Sequence, residues 1–543
     1  MADSRRYFSE IMNTNTIPME TEEDDEEKAR IYKDPMKRNL LDDFDKTMPL
    51  DVVSDERMSV FLRVRPFSGQ EAEGDENQGC VVVQNNNMVK ANAPKDSHTY
   101  KAQLYGLNKA SHTFTFSKVF PESTTQKEFF DSTMLKLVQD FIEGQNCLVF
   151  TYGVTNSGKT YTIQGNPRNA GVLPRGLDVL FNSINGKQWP GMDLKPHMFC
   201  DVVKLSPEQE ETERKLKERT LKLNSSEDHD VMTLLGDDAS DQSVMNATGH
   251  SDSSTCADKK PGLHDSQESL IAEVENRVRE ETAIDVTVQG QIRFSVWVSF
   301  AEIYNEQIFD LLEPLPKKKN AKRPVLKLSD DRRGSPYIKG LKEINVTSAD
   351  EAYKLLTIGQ RNLKTACTRL NHCSSRSHCI FNIKVIRVPD KGNPRMARVS
   401  MLSLCDLAGS ERHSKTHTTG DRLKEAGNIN TSLLTLGRCI ELLRYNQQHK
   451  EKEKIIPFRD SRLTRLFQNF FCGRGKAAMI VNVSQCASMF DETLNVFKFS
   501  AIAKQVVMPP KPVEKLAEPR QRKTKSSARA SSICWDPSAT PCE

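Results

Sequence analysis

Gly153-Val154-Thr155-Asn156-Ser157-Gly158-Lys159-Thr160 reads GVTNSGKT, a full match to the phosphate-binding pattern G-x-x-x-x-G-K-[ST]. Cys147 to Tyr152 before it is a short apolar, β-rich run of the kind a buried parallel strand shows. The residues after it can continue as a helix. In that setting glycines let backbone N–H groups wrap a polyphosphate, and the helix N-terminus adds a favourable dipole. Lys159 then reaches the β- and γ-phosphates, and the Thr160 hydroxyl ligates Mg²⁺. By chance, a chain of this length holds such a match about one time in fifty at average residue usage. The sequence therefore predicts a nucleoside triphosphate site, with a kinase, a transporter, a GTPase and a motor all still open.

Asp406-Leu407-Ala408-Gly409-Ser410-Glu411 follows a second apolar run, Val399 to Cys405. An Asp at a strand end with a Gly close behind suits two tasks: holding Mg²⁺ through water and offering a backbone N–H to a γ-phosphate. Upstream lies Asn371-His372-Cys373-Ser374-Ser375-Arg376-Ser377-His378. Its hydroxyls suit Mg²⁺ and the γ-phosphate, and Arg376 suits an acidic partner. Glu411 is the natural one if the two loops face each other across the nucleotide. Such a pair exists only when both loops have closed, so it would report the triphosphate state.

Taken in order, GVTNSGKT, NHCSSRSH and DLAGSE resemble the motor domain of the kinesin superfamily. The resemblance runs from about Ser59 to Val507. Arg63-Val64-Arg65-Pro66 is similar to the family's adenine-side motif, and Val298 to Glu306 to its central strand–helix segment. Asn428 to Gly437 resembles the relay helix. Pro457 to Arg465 resembles the microtubule-facing segment, and Asp491 to Lys504 the final helix. Asn156 and the Leu404-to-Gly409 phrasing resemble the mitotic kinesin-like, sixth-class branch. Thr125 to Phe130 and Leu194 to His197 look closest to its M-phase phosphoprotein motors.

The resemblance implies an α/β P-loop fold: a mainly parallel, mixed central sheet sandwiched by helices, with a long insertion. It implies a microtubule-stimulated ATPase using ATP and Mg²⁺. Plus-end movement, a part in mitosis or cytokinesis, and a place in the cytoplasm and cytoskeleton at the spindle or midzone are also implied. A nuclear interphase location is left open. Residue by residue, Arg63 and Pro66 flank the adenine with Tyr161 stacking on it, and Gly153 to Thr160 with Ser374 hold the phosphates. Ser375 closes on the γ-phosphate and the metal, Gly409 donates its N–H, and Glu411 organises the attacking water while paired to Arg376. Hydrolysis of this kind needs positioning and charge stabilisation more than a strong base.

Composition agrees. The 543 residues are 28% charged with a formal net charge of +4, so no polyelectrolyte character points to nucleic acid. The 13 cysteines show no C-x-x-C pair or disulfide-like framework. No apolar run approaches a membrane span, and the acidic N-terminus is not a signal peptide. Residues 1–55, with the acidic run Glu22 to Glu27, read as a disordered extension, and 56–507 as the motor. Within it an insertion occupies about 195–290. Pro207 to Leu221 is helix-prone, Gly236 to Gly262 reads as disordered, and Leu270, Ile271, Val274 and Val278 recur at helical spacing. Residues 508–543 hold Pro509, Pro510 and Pro512, which remove donors a docking strand would need, and then a basic, Ser-rich tail. No heptads follow, so no dimerisation is read within this chain.

Cys367, His372, Cys373, His378 and Cys379 match no common zinc spacing. The track surface is acidic and needs local cations. Arg459, Arg462 and Arg465, three apart, would share a helix face, with Lys450, Lys452 and Lys454 before them and Arg332 and Arg333 as a second basic loop. Any one group alone reads as solvated charge. Two rival readings are a microtubule-gripping or bundling module without stepping, and a non-motor P-loop switch. A guanine-reading N-K-x-D is absent from the sequence, which disfavours a GTPase.

Overall fold

The computed structural model describes residues 58–104, 109–222, 272–286, 292–315, 323–369, 376–389, 397–411 and 421–507. The expectations for 1–55, Gly236 to Gly262, Ser374, Ser375 and 508–543 lie outside the described residues.

The strands that build the central sheet and its margins are β1 (Ser59–Val64), β2 (Lys118–Phe120), β3 (Cys147–Tyr152), β4 (Gly165–Asn166) and β5 (Asn169–Ala170). Then come β6 (Ile292–Tyr304), β7 (Gln307–Asp310), β8 (Lys327–Asp330), β9 (Pro336–Lys339) and β10 (Ile344–Val346). The set ends with β11 (His378–Pro389), β12 (Arg398–Asp406) and β13 (Lys476–Val483). Among the described residues the main sheet runs β7-β6-β11-β12-β3-β13-β1-β2, with β10 added on β6. It is mixed as expected, though its pairings among the described residues divide evenly, four parallel and four antiparallel, and are not mainly parallel. Pairings from β12 through β3, β13 and β1 to β2 are parallel, and those from β7 through β6 and β11 to β12 antiparallel.

The helices used below are α1 (Gln126–Thr133), α2 (Leu135–Ile142), α3 (Lys159–Ile163), α4 (Val172–Ser183), α5 (Pro207–Lys222), α6 (Ala349–Arg369), α7 (Asp421–Gln448), α8 (Arg462–Phe471) and α9 (Phe490–Ala503). All six residues of β3 are buried, which is why its apolar run is continuous. Cys147 and Val149 join the cluster formed with α1, α2, α4 and α6. Phe150 instead meets Phe467 and Phe471 of α8 at 5.6 and 6.5 Å, and Tyr152 meets Phe499 of α9 at 4.5 Å. Alternate residues of one strand thus serve two helical layers, so the sheet is sandwiched.

Two expectations change. Val298 to Glu306 is not strand–helix but strand–turn–strand. Asn305 and Glu306 sit at φ 52° and 56°, the left-handed pair of a two-residue hairpin turn joining β6 to β7. Arg459, Arg462 and Arg465 do not share one helix. Arg459 lies in a 3-10 turn, and α8 starts only after Ser461, whose hydroxyl accepts the Leu463 N–H.

The insertion begins with a hairpin, Leu194–His197 against Asp201–Lys204, followed by the expected helix α5. Ser206 and Gln209 exchange hydrogen bonds there as a capping box. Of the residues expected at helical spacing, Val274 is buried within the helical residues 272–275 and Val278 is exposed. Leu270 and Ile271 lie outside the described residues.

Candidate nucleotide-binding site

Three segments meet at one edge of the sheet: the loops after β3 and β12, and residues 376–377 leading into β11. The loop after β3 is bent by left-handed residues: Gly158 at φ 96°, Asn156 at φ 62°, and Gly153 at φ 154°. Asn tolerates this region better than other side chains, so Asn156 fits where a β-branched residue would strain. A Cβ on Gly153 would strike the Asn482 carbonyl of β13. Lys159 opens α3 and is buried, its Nζ donating to the carbonyls of Gly153 (3.0 Å) and Val154 (2.8 Å). Burial lowers its pKa, with Asp406 and Glu411 acting the other way. A phosphate oxygen is a far stronger acceptor for that ammonium than two loop carbonyls.

Asp406 ends β12 beside β3. Thr160 Oγ1 donates to its Oδ2 at 2.5 Å, and Thr151 Oγ1 to its Oδ1 at 3.0 Å. Burial pushes its pKa up, against those two hydroxyls and the Lys159 charge. The next loop is sewn to the first. The Ser410 N–H donates to the Gly153 carbonyl at 3.1 Å. Glu411 accepts the Thr155 N–H at 2.9 Å and the Thr155 hydroxyl at 2.5 Å. Gly409 lies under this contact, and a Cβ there would strike the Glu411 and Thr155 side chains. The hydroxyls of Ser157, Ser377 and Ser410 are buried without a hydrogen-bond partner among the described residues. One orphaned hydroxyl on each of three converging loops, around a buried ammonium, fits a polyphosphate with its metal.

His378, the last residue of NHCSSRSH and a member of the Cys/His group that matches no zinc spacing, joins the loops to a helix. Its Nδ1 accepts the Ala408 N–H at 3.1 Å, and its Nε2 lies 2.8 Å from the Ser432 hydroxyl of α7. Burial, with Lys159 nearby, pulls its pKa down to about 3, so it is neutral. Since Nδ1 accepts, the proton sits on Nε2 and is donated to Ser432. Arg376 is half-buried just ahead of β11.

On the base side Pro66 is exposed and Tyr161 is 44% exposed. Arg63 lies beneath them. Its guanidinium is bonded to Gln126 Oε1 (2.6 Å) and Thr162 Oγ1 (3.1 Å), 5.6 Å from the Tyr161 ring centroid and 4.8 Å from that of Phe129. It supports this wall from behind. Gln126, the residue after Thr125 inside the Thr125–Glu128 capping box of α1, also donates to the Tyr161 carbonyl at 2.7 Å. The segment singled out at Thr125 to Phe130 thus belongs to the site through Gln126, a role no motif announced.

The basic residues gather at a second place. The Arg332–Arg333 turn of the β8–β9 hairpin is exposed, and the hairpin is fixed to α8 by Arg465, both of whose bonds to Asp330 are 2.6 Å. Arg465 is therefore a half-buried pin with its side chain 13% exposed, while Arg459 and Arg462 are exposed beside it. Glu306 holds the start of α8, accepting from Ser461 Oγ and the Arg462 N–H. Lys452 is exposed, and Lys454 lies 4.3 Å from the Tyr445 ring centroid.

A family model described as the kinesin motor domain matches residues 63–506. A mouse protein described as kinesin-like protein KIF20A is 46% identical over 455 residues, covering 84% of this chain and 51% of its own length. The chain thus spans about half the length of that curated relative. A solved structure described as "kinesin 6" aligns with TM-score 0.59 at 28% identity, covering 82% of this chain and 98% of that one. Another, described as a KIF14 dimer bearing AMP-PNP in complex with a microtubule, aligns with TM-score 0.57 at 25% identity, covering 85% and 97%.

Proposed function

Because the chain belongs to the kinesin motor domain family, we propose that it is an ATP-driven microtubule motor in which closure of the three loops sets the chemistry and α7 carries the result to the track. The observation that carries this reading is the meeting of Thr155 with Glu411, Gly153 with Ser410, and Thr160 with Asp406. Lys159 and the N–H groups of Gly153 to Thr160 hold the phosphates. Mg²⁺, held by Thr160, Ser375 and, through water, Asp406, would supply positive charge against the phosphate oxygens. Gly409 supplies its N–H. Glu411 leaves Thr155, pairs with Arg376 and orients the attacking water. Pro66 and Tyr161, backed by Arg63, hold the base.

Motion passes through His378. Any shift of the backbone at Ala408 is felt at Ser432, because one rigid ring is bonded to both. At the far end of α7, Gln447 exchanges hydrogen bonds of 2.6 and 3.0 Å with the backbone of Val507. The exposed Arg332, Arg333, Lys452, Arg459 and Arg462 form the face offered to an acidic polymer, in keeping with the microtubule complex of the KIF14 relative. Plus-end direction, a place at the spindle or midzone and a part in mitosis or cytokinesis follow from the sixth-class resemblance.

The test is ATP turnover titrated with microtubules, alongside filament gliding. Turnover should rise and saturate, and filaments should move. Turnover indifferent to microtubules would overturn the motor reading, and stimulated turnover with immobile filaments would favour a gripping module.

A further inference from the structure

Residues 272–286, the returning limb of the insertion, lie across four elements. The side chain of Arg277 is 2% exposed and reaches both Asp178 oxygens on α4 (2.9 and 2.6 Å) as well as Asp350 at the start of α6 (2.8 Å). Glu280, 4% exposed, accepts from Arg175 of α4 and from Lys127 of α1, the latter at 2.8 Å. Its own N–H donates to Asp178 at 2.9 Å, and its carbonyl accepts from Asn182 at 2.8 Å. Burial alone would raise the Glu280 pKa, but the bonds from Lys127, Thr282 and Arg175 hold it at about 2. The Val278 N–H donates to the Pro167 carbonyl at 2.9 Å, in the β4–β5 hairpin that follows α3.

Anchoring the insertion would need only α4 and α6. The contacts with Lys127 and Pro167 go further, to the two elements that border α3. Lys127 adjoins Gln126, which holds both the Arg63 guanidinium and the Tyr161 carbonyl. Resting on the nucleotide reading above, we propose that residues 272–286 are a retaining strap for bound nucleotide: they fix α1 and the β4–β5 hairpin, and through Gln126 they hold Arg63 and Tyr161 where the base is kept. Glu280 and Lys127 are positioning residues in this arrangement. A rigid base wall slows nucleotide departure and leaves the phosphate contacts untouched.

The test follows release of a fluorescent N-methylanthraniloyl-ADP chased with excess ATP, together with the affinity for tripolyphosphate, which has no base. Lys127→Met, losing a partly exposed ion pair, should speed release about threefold. Glu280→Gln, losing a buried charge from the cluster, should speed it about tenfold. Tripolyphosphate affinity should not change. Arg279→Met, which removes the exposed pair with Asp350 at 3.3 Å and two long bonds to the Val274 and Glu275 carbonyls but touches neither α1 nor the β4–β5 hairpin, should release nucleotide like the parent. Parental release from both strap variants, with parental melting, overturns the proposal, as does an equal loss of tripolyphosphate affinity. If Glu280→Gln does not fold, Lys127→Met against Arg279→Met decides alone. A parent that binds no fluorescent nucleotide overturns the nucleotide reading, and the strap with it.

Discussion

The loops around Lys159 and the limb at 272–286 both bury charge, in opposite ways. In the loops a buried ammonium is met by two backbone carbonyls, a half-buried carboxylate by two hydroxyls, and three hydroxyls by nothing among the described residues. Along the limb, Arg277 faces two carboxylates and Glu280 two cations. A site that must accept a ligand is left under-satisfied and gains from binding. A strap that must not move has its charges matched within the chain. The first region trades stability for function, and the second has no such trade to make.

The largest effect should separate them outright. Arg277→Ala leaves Asp178 buried without its bidentate partner and should destabilise the chain by about 3–5 kcal/mol. Lys159→Met removes a charge whose hydrogen bonds go only to carbonyls. Without nucleotide it should melt within about 1 kcal/mol of the parent, while losing about 100-fold in nucleotide affinity, as expected for a lost charge-assisted phosphate contact. Denaturant melts with and without nucleotide measure both. Equal destabilisation by the two substitutions would erase the distinction.

Next in size, Gly409→Ala should keep nucleotide affinity within a few-fold and slow hydrolysis about 100-fold, the scale for losing one preorganised donor. The added methyl displaces Glu411 from Thr155. Single-turnover hydrolysis checks it, and parental chemistry would remove Gly409 from its assigned role.

Acid should open the loops before the limb. With a folded pKa of about 3 against an ordinary 6.5, His378 refuses a proton that the unfolded chain accepts. Its stabilisation is therefore complete above pH 6.5 and declines toward pH 3, by at most about 1.4 kcal/mol per pH unit. Glu280, at about 2 against 4.5, begins to lose its contribution only below pH 4.5. Asp310, raised to about 6 by burial, works against the trend, since its folded form gains a proton between pH 6 and 3.8. Melting temperatures from pH 7 to 5 should fall less steeply in His378→Gln, whose amide can accept from Ala408 and donate to Ser432. An unchanged slope would remove His378 as the acid-sensitive link.

The smallest effect belongs to the exposed cations. Replacing Arg459 and Arg462 with Ala should raise the microtubule concentration for half-maximal turnover about threefold at low salt and less at 0.15 M, where exposed charges are screened beyond about 8 Å. Arg465→Ala should act instead by loosening the β8–β9 hairpin. Co-sedimentation at two salt concentrations distinguishes the three residues.

Legibility followed the same division. GVTNSGKT and DLAGSE were readable because a phosphate-binding loop fixes residue type and spacing together. Asn156, singled out only as a mark of the branch, also sits at a left-handed φ that its residue type tolerates. The limb was opaque, since Arg277 and Glu280 look like solvated charge until Asp178 and Arg175, about a hundred positions earlier, are placed beside them. Charge alternating with Val274, Ile284 and Val286 was the available hint. The hairpin at Asn305–Glu306 was missed for a local reason: no glycine marks a turn in which both residues are left-handed.

Between Ser432 and Gln447 helix α7 runs 15 residues, or about 22 Å at 1.5 Å per residue. A tilt of about 3° about Ser432 moves Gln447 by about 1.2 Å, which would carry both of its bonds to Val507 past the 3.5 Å at which a hydrogen bond ceases to count. The output is consequently a threshold and not a spring. Small thermal wobble leaves Val507 fastened to α7, and a displacement only slightly larger breaks both bonds together. Gln505 meanwhile keeps its bond to Arg444 and Val506 its bond to Met58, so that the helix acts on this one residue as a mechanical comparator with gain set by its length.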